Sequence, residues 1–197
     1  MEDAVKTAEP TADRLEFRFV SGHRALDFLA TFADRHRDGV ERLRQPADID
    51  RWLRGAGLPA STAASARNLR DARRLREALN RLARASMHRE PGDARDVAEL
   101  NHWARCVPLA PQLDSSFQLH WLAPAPVNGA LALIAAEAVE LLTSPERELI
   151  RECAAAPACS MLYLDRSRSR QRRWCQMERC GSRAKMAGYR QRLGTLP

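Results

Sequence analysis

A mainly α fold with a few short strands is the class this sequence predicts: a helical N-terminal body followed by a small β-hairpin and helix module. Three observations predict it. Apolar residues recur at helical spacing through most of the first 150 positions. Four of the five cysteines, Cys153, Cys159, Cys175 and Cys180, fall within 28 consecutive residues. The same end of the chain is strongly basic, with ten basic residues against the single acid Glu178 between Arg166 and Pro197.

A chain of 197 residues holds one ordinary domain and a small appendage. With 45% hydrophobic and 29% charged residues it is too apolar to be disordered as a whole. No uninterrupted apolar run approaches the roughly 20 residues of a membrane span. The first residues carry acids where an export signal needs a basic start and an apolar stretch, which predicts a cytoplasmic protein.

Residues 1–14 are polar and unpatterned and read as a flexible tail. Leu15 to Val20 alternates Leu15, Phe17 and Phe19 with Glu16 and Arg18, the period of a half-buried strand. From His23 to about Arg37, Leu26, Leu29, Ala30 and Ala33 form a helical stripe that Gly39 ends. Pro46 opens a short helix with Ile49, Trp52 and Leu53 inward, closed by Gly55 and Gly57. The longest helix runs from Ser61, as N-cap, to about His88, with Leu69, Ala72, Leu75, Leu79 and Leu82 on one face and arginines on the other. Pro91 and Gly92 break it, and Asp93 begins another helix with Val97, Leu100, Trp103 and Ala104 in register. Phe117 to Leu122 alternates like a strand that pairs with residues around Leu109 to Leu113. After Pro126 a nearly continuous apolar helix reads as the centre of the core, and Pro145 opens a last helix toward Cys153. The body therefore spans residues 15–150 and the cysteine module residues 151–197.

The cysteines form a C-x5-C and a C-x4-C pair separated by fifteen residues. Two short loops, each giving two thiolates, suit one tetrahedral zinc ion, and four thiolates leave no open position for catalysis. Clustered cysteines in a reducing compartment favour a metal over disulfides, with ordinary thiols or a redox switch as alternatives. A strand over Met161 to Leu164, a return through Arg172 to Trp174 and a helix after Cys180 give a zinc-ribbon or treble-clef-like shape.

Charge divides along the same line. Residues 166–197 carry a net +9 and residues 1–165 a net −2. This asymmetry points to a polyanion, and the candidate nucleic-acid-binding residues are Arg166, Arg168, Arg170, Arg172, Arg173, Arg183, Lys185 and Arg190. Arg183 either reaches a base edge or braces the zinc knuckle, and Trp174 reads as a small-core anchor.

His23 and Asp27, four apart, with His36 suggest a metal or acid/base set, but they read better as a capped or solvated helix end. His102 and His120 read as satisfied, partly buried side chains, and Cys106 as a core cysteine. The sequence holds no phosphate loop, nucleophile elbow or HExxH, so it offers no enzyme mechanism.

The run Asp165, Ser167, Arg168, followed by Arg173, Trp174, Cys175, then Cys180, Gly181, Arg183 and Lys185, resembles the CGNR zinc finger. The preceding region, from FRFVSGHRALDFLATFADR through WLRGAG, is similar to the ABATE domain of bacterial stress-induced transcription regulators. Ser182 stands where the finger motif has asparagine, and Ala30 where many members have asparagine before threonine. The resemblance implies a DNA-binding regulator with one structural zinc, whose body senses an effector or mediates homodimerisation. An RNA-binding protein and a protein-interaction adaptor are the alternative readings; no membrane partner is expected.

Overall fold

The structure, a computed structural model, describes residues 11–59, 64–122 and 125–194. The described part of the predicted tail holds a single helical turn, α1 (Ala12–Leu15); residues 1–10 lie outside it. The six residues from Leu15, expected to form a strand, do not. They pair with no other strand, and their alternation serves packing: Phe19 lies 5.9 Å from the Trp52 ring, and the Arg51 guanidinium covers Phe17 at 4.6 Å.

The helix expected from His23 to Arg37 ends early, at α2 (Arg24–Leu29), because the next residues are captured from elsewhere. Arg42 donates from its backbone to Thr31 at 2.9 Å and from its guanidinium to the Ala30 carbonyl. The chain then forms a two-stranded turn, β1 (Phe32–Ala33) with β2 (Val40–Glu41), antiparallel. Gly39, read as a helix stop, is part of this turn: its φ is +63° and a Cβ there would fall 2.6 Å from the Phe32 ring.

Periodicity located the remaining helices. α3 (Pro46–Gly55) buries Ile49, Trp52 and Leu53, and Asp48 accepts from the Gln45 backbone at 2.9 Å to close its first turn. α4 (Ala66–His88) buries the expected face of Leu69, Ala72, Leu75, Leu79 and Leu82. Its cap is Ser65, which accepts from Asn68; the anticipated Ser61 lies outside the described residues. α5 (Ala94–Ala104) starts on Asp93, which accepts from Arg95 and Asp96. Leu100 and Trp103 face inward, whereas Val97 is exposed.

β3 (Ala110–Leu113) and β4 (Leu119–Leu122) pair as expected, with Pro111 opposite Trp121, and stand at the periphery. α6 (Pro126–Thr143) is the central helix. Its 18 residues do reach the length and composition of a membrane span, contrary to expectation. Half of that stretch is buried, however, with Ala132, Ile134, Ala135 and Ala138 fully inside against α2, α4 and α5. Each fully buried large aliphatic side chain here contributes roughly 1.5–3 kcal/mol.

The helix expected at Pro145 is a 3-10 turn, Pro145–Leu149, that leads into β5 (Ile150–Glu152). β5 pairs with β6 (Leu162–Leu164), Ile150 facing Leu164. This corrects the expected hairpin, in which Arg172 to Trp174 was the partner. Leu162 and Leu164 lie in the main core with Ile150, while Met161 and Tyr163 line a second cluster around the cysteines. β6 therefore joins the two hydrophobic clusters, and burial of its faces sets the pairing.

Candidate metal centre and cationic surface

Cys153 follows β5 and Cys159 precedes β6, so one hairpin presents both thiols of the first pair. Backbone bonds fix their frame: Cys153 donates to Met161 at 3.0 Å, and Ala154 to Arg173 at 2.8 Å. Cys175 precedes a π turn, Met177–Gly181, that contains Cys180, whose backbone N donates to the Gln176 carbonyl at 3.0 Å. Gly181 packs closely there. A Cβ would meet Met177 Sδ at 2.3 Å and the Trp174 ring at 3.1 Å. α7 (Ser182–Gly194) follows directly, as expected for the segment after Cys180.

The four Sγ atoms lie within 4.8 Å of one another. Cys159 and Cys175 are separated by 3.8 Å, and Cys175 and Cys180 by 3.6 Å. A tetrahedron with zinc–sulfur bonds of about 2.3 Å requires sulfur–sulfur edges of about 3.8 Å. The donor set therefore fits a zinc ion. Cys175 N also points at Cys153 Sγ, 3.5 Å away, a donor that favours a thiolate. Bonds from Cys159 and the other thiols hold Cys153 far below its usual pKa, while Cys159 and Cys175 are pushed up, Cys153 being the main cause for both. Four thiolates so close need a cation to ionise together.

Around this centre, Trp174 packs against the cysteine cluster with Val20 and Ala30 of the body. The Tyr163 hydroxyl donates to the Arg172 carbonyl. Asp165, wholly buried, accepts from Ser167 N at 3.0 Å, from Ser167 Oγ and from Arg172 N at 3.0 Å. Burial opposes its ionisation, but these donors outweigh it and hold its pKa below the usual value.

The eight cationic residues singled out in the sequence differ in what holds them. Arg166 is bidentate to Glu146, both bonds 2.9 Å, and also reaches the Gly22 carbonyl. Arg172 folds back: its guanidinium lies 4.6 Å over the Tyr163 ring and donates to the carbonyls of Trp174 and Cys175. Arg173 stacks on Trp174 at 4.9 Å. Arg168, Arg170, Arg183, Lys185 and Arg190 are exposed and have no side-chain partner among the described residues. Arg183 and Arg190 line one shallow groove with Glu178 and Met186. The side chain of Arg192 lies outside the described residues.

Residues 22–145 match the ABATE family model, described as "Putative stress-induced transcription regulator". The chain belongs to this family. Residues 150–193 match the CGNR zinc finger, and the four clustered cysteines make this finger a zinc-binding module for one structural ion. No curated protein matches the chain. Neither matched family is an enzyme type.

Elsewhere in the ABATE protein, the histidines go to separate partners. His23 caps α2 by accepting from Ala25, Asp27 accepts from Ser21 N at 3.0 Å, and His36 meets Glu152 at 2.6 Å. His102 and His120 are exposed rather than partly buried, and His120 pairs with Asp114 at 2.7 Å. Cys106 is half-buried at the core's edge. Residues that sequence reasoning missed join the N-terminal segment to the finger: Arg179, within the π turn, is bidentate to Asp13 at 2.9 and 2.6 Å. A charge pair 166 residues apart leaves no local pattern to find.

Proposed function

We propose that this ABATE protein is a cytoplasmic DNA-binding transcriptional regulator. In this reading residues 151–197 form the DNA-contacting finger, and residues 15–150 form a body that senses an effector or mediates dimerisation. Cys153, Cys159, Cys175 and Cys180 hold the zinc, which supplies folding energy to a segment too small to bury a core of its own.

The observation that carries the reading is the concentration of exposed, unpaired cations on the finger, where Glu178 is the one acid among residues 166–197. Along α4, Arg74 pairs with Glu99, Arg76 with Glu41, Arg81 with Asp96 and Arg84 with Glu152, while Arg70 is exposed without an ion pair among the described residues. On the finger, Arg168, Arg170, Arg183, Lys185 and Arg190 carry unmatched charge outward. Unmatched cations repel one another and persist where a polyanion completes them. Phosphate contacts from these residues would position the finger, and Arg183, at the start of α7, is the one to reach a guanine edge.

The test is a duplex-DNA titration of the zinc-loaded full chain across a salt series. Full-length charge variants are required, because Leu162 and Leu164 belong to the main core and truncation before Cys153 would open it. Replacing Arg168, Lys185 and Arg190 by glutamine should flatten the log–log salt slope by about 0.9 for each phosphate no longer neutralised. Absence of duplex binding, or tighter binding of structured RNA, overturns the reading.

A further inference from the structure

A cavity of about 370 Å³ opens where the body meets the finger, walled by residues 13–42 and Asn80 on one side and by residues 158–162 and 179–183 on the other. We propose that it is a binding site for a small organic anion, a carboxylate or phosphate ester with an apolar portion. This gives the sensing role inferred above a place and a ligand chemistry.

Charge is the first argument. Seven arginines and three aspartates line the cavity; Asp13 and Asp34 are held by Arg179 and Arg14, and Arg35 is held by Glu77. A zinc tetrathiolate beside the wall carries two negative charges, which still leaves the lining cationic.

Unmet hydrogen bonding is the second. Arg18 Nε is buried without a partner, an arrangement that costs free energy unless something accepts from it. The Asn80 side chain, on the core side of α4 and only 8% exposed, also lines the cavity. Arg42 is spent differently: it braces the wall by donating to the carbonyls of Arg14 and Ala30.

One part of the wall is apolar, with Leu29, Ala30 and Phe32 from the body facing Met161 and Leu162 from the finger. The volume lies at the small end of the range for small-molecule sites, and the lining is more polar than apolar, which suits a charged ligand with a limited apolar portion. An inorganic anion would leave the apolar part unused.

The experiment is calorimetric titration of zinc-loaded full-length protein with phenyl phosphate, against inorganic phosphate and phenol. Phenyl phosphate should bind saturably, one per chain, more tightly than either control. Arg18→Met and Asn80→Ala should each weaken it about tenfold, the effect of one charge-assisted or buried hydrogen bond. Arg37→Gln, at the exposed rim, should weaken it without threatening the fold; zinc content and thermal melting verify each variant. No saturable binding, phenol binding equally well, or affinity unchanged in all three variants overturns the site. Displacement of phenyl phosphate by duplex DNA with the same dependence on Arg18 would assign the pocket to nucleic-acid phosphate and overturn it too. No arm requires DNA binding, so failure of the regulator reading does not decide this one.

Discussion

Asp165 and Arg172 are joined by a backbone hydrogen bond of 3.0 Å that closes the arginine-rich loop between the two cysteine pairs. The carboxylate is buried, and Ser167 supplies its other donors. This one acid gives the loop its shape and leaves Arg168 and Arg170 outside.

Asp165→Ala should therefore disorder the loop, leaving the donors of Ser167 and Arg172 without an acceptor. The expected loss is about 5 °C in Tm. Asp165→Asn should be milder, since an amide oxygen still accepts. Differential scanning calorimetry of both variants checks this, and equal Tm values for all three proteins would contradict it.

Arg168 and Arg172 should separate function from structure although four residues apart. Arg172 braces the second cysteine loop from inside, so Arg172→Ala should weaken zinc retention, measured as faster metal loss to a chelator. Arg168→Ala should leave zinc retention unchanged and reduce the DNA salt slope by about 0.9. Identical behaviour of the two variants would refute the division.

Which parts of the molecule could be read from sequence follows from how far each determinant reaches. α4 and α6 are written in local periodicity, and the cysteine cluster in ligand spacing, so both were legible. The end of α2 was not, because Arg42, twelve residues on, fixes the Ala30 and Thr31 carbonyls. The alternation of Leu15 to Phe19 misled because a half-buried coil against Trp52 leaves the same pattern as a strand. The partner of β6 is decided by which face of Leu162 and Leu164 the body buries, which cysteine spacing does not encode. The arginine-lined cavity draws on three separated stretches and Asn80 of α4, and has no sequence signature.

His23 makes stability depend on pH. Its ring accepts from Ala25 N at 3.2 Å, which requires an unprotonated nitrogen, and burial, then Arg166, lowers its pKa. The unfolded chain takes up the proton near pH 6.5, while the folded chain resists until lower pH. Below about 6.5 the unfolded state thus binds more protons, and stability falls as pH falls. His23→Asn keeps a capping acceptor and does not titrate, so the Tm difference between wild type and variant should shrink or reverse from pH 7.5 to pH 5.5. A difference that is constant across that range would rule His23 out.

Zinc removal should unsettle the body as well as the finger. The second cluster holds Cys153, Cys175 and Cys180 against Ala30 of α2's end, and β6 carries Tyr163 into that cluster and Leu164 into the main core. Without metal, four thiols lose the charge balance that keeps them together, and β6 loses the support of one face. Chelation should lower the Tm of the single transition by at least about 10 °C, in keeping with the large share of folding energy that structural zinc supplies. Cys175→Ser should reproduce the shift in the presence of zinc, and cobalt substitution should give the visible spectrum of a tetrahedral tetrathiolate only in the wild type. A body that melts unchanged after chelation would mean that the two clusters are energetically independent despite sharing a strand.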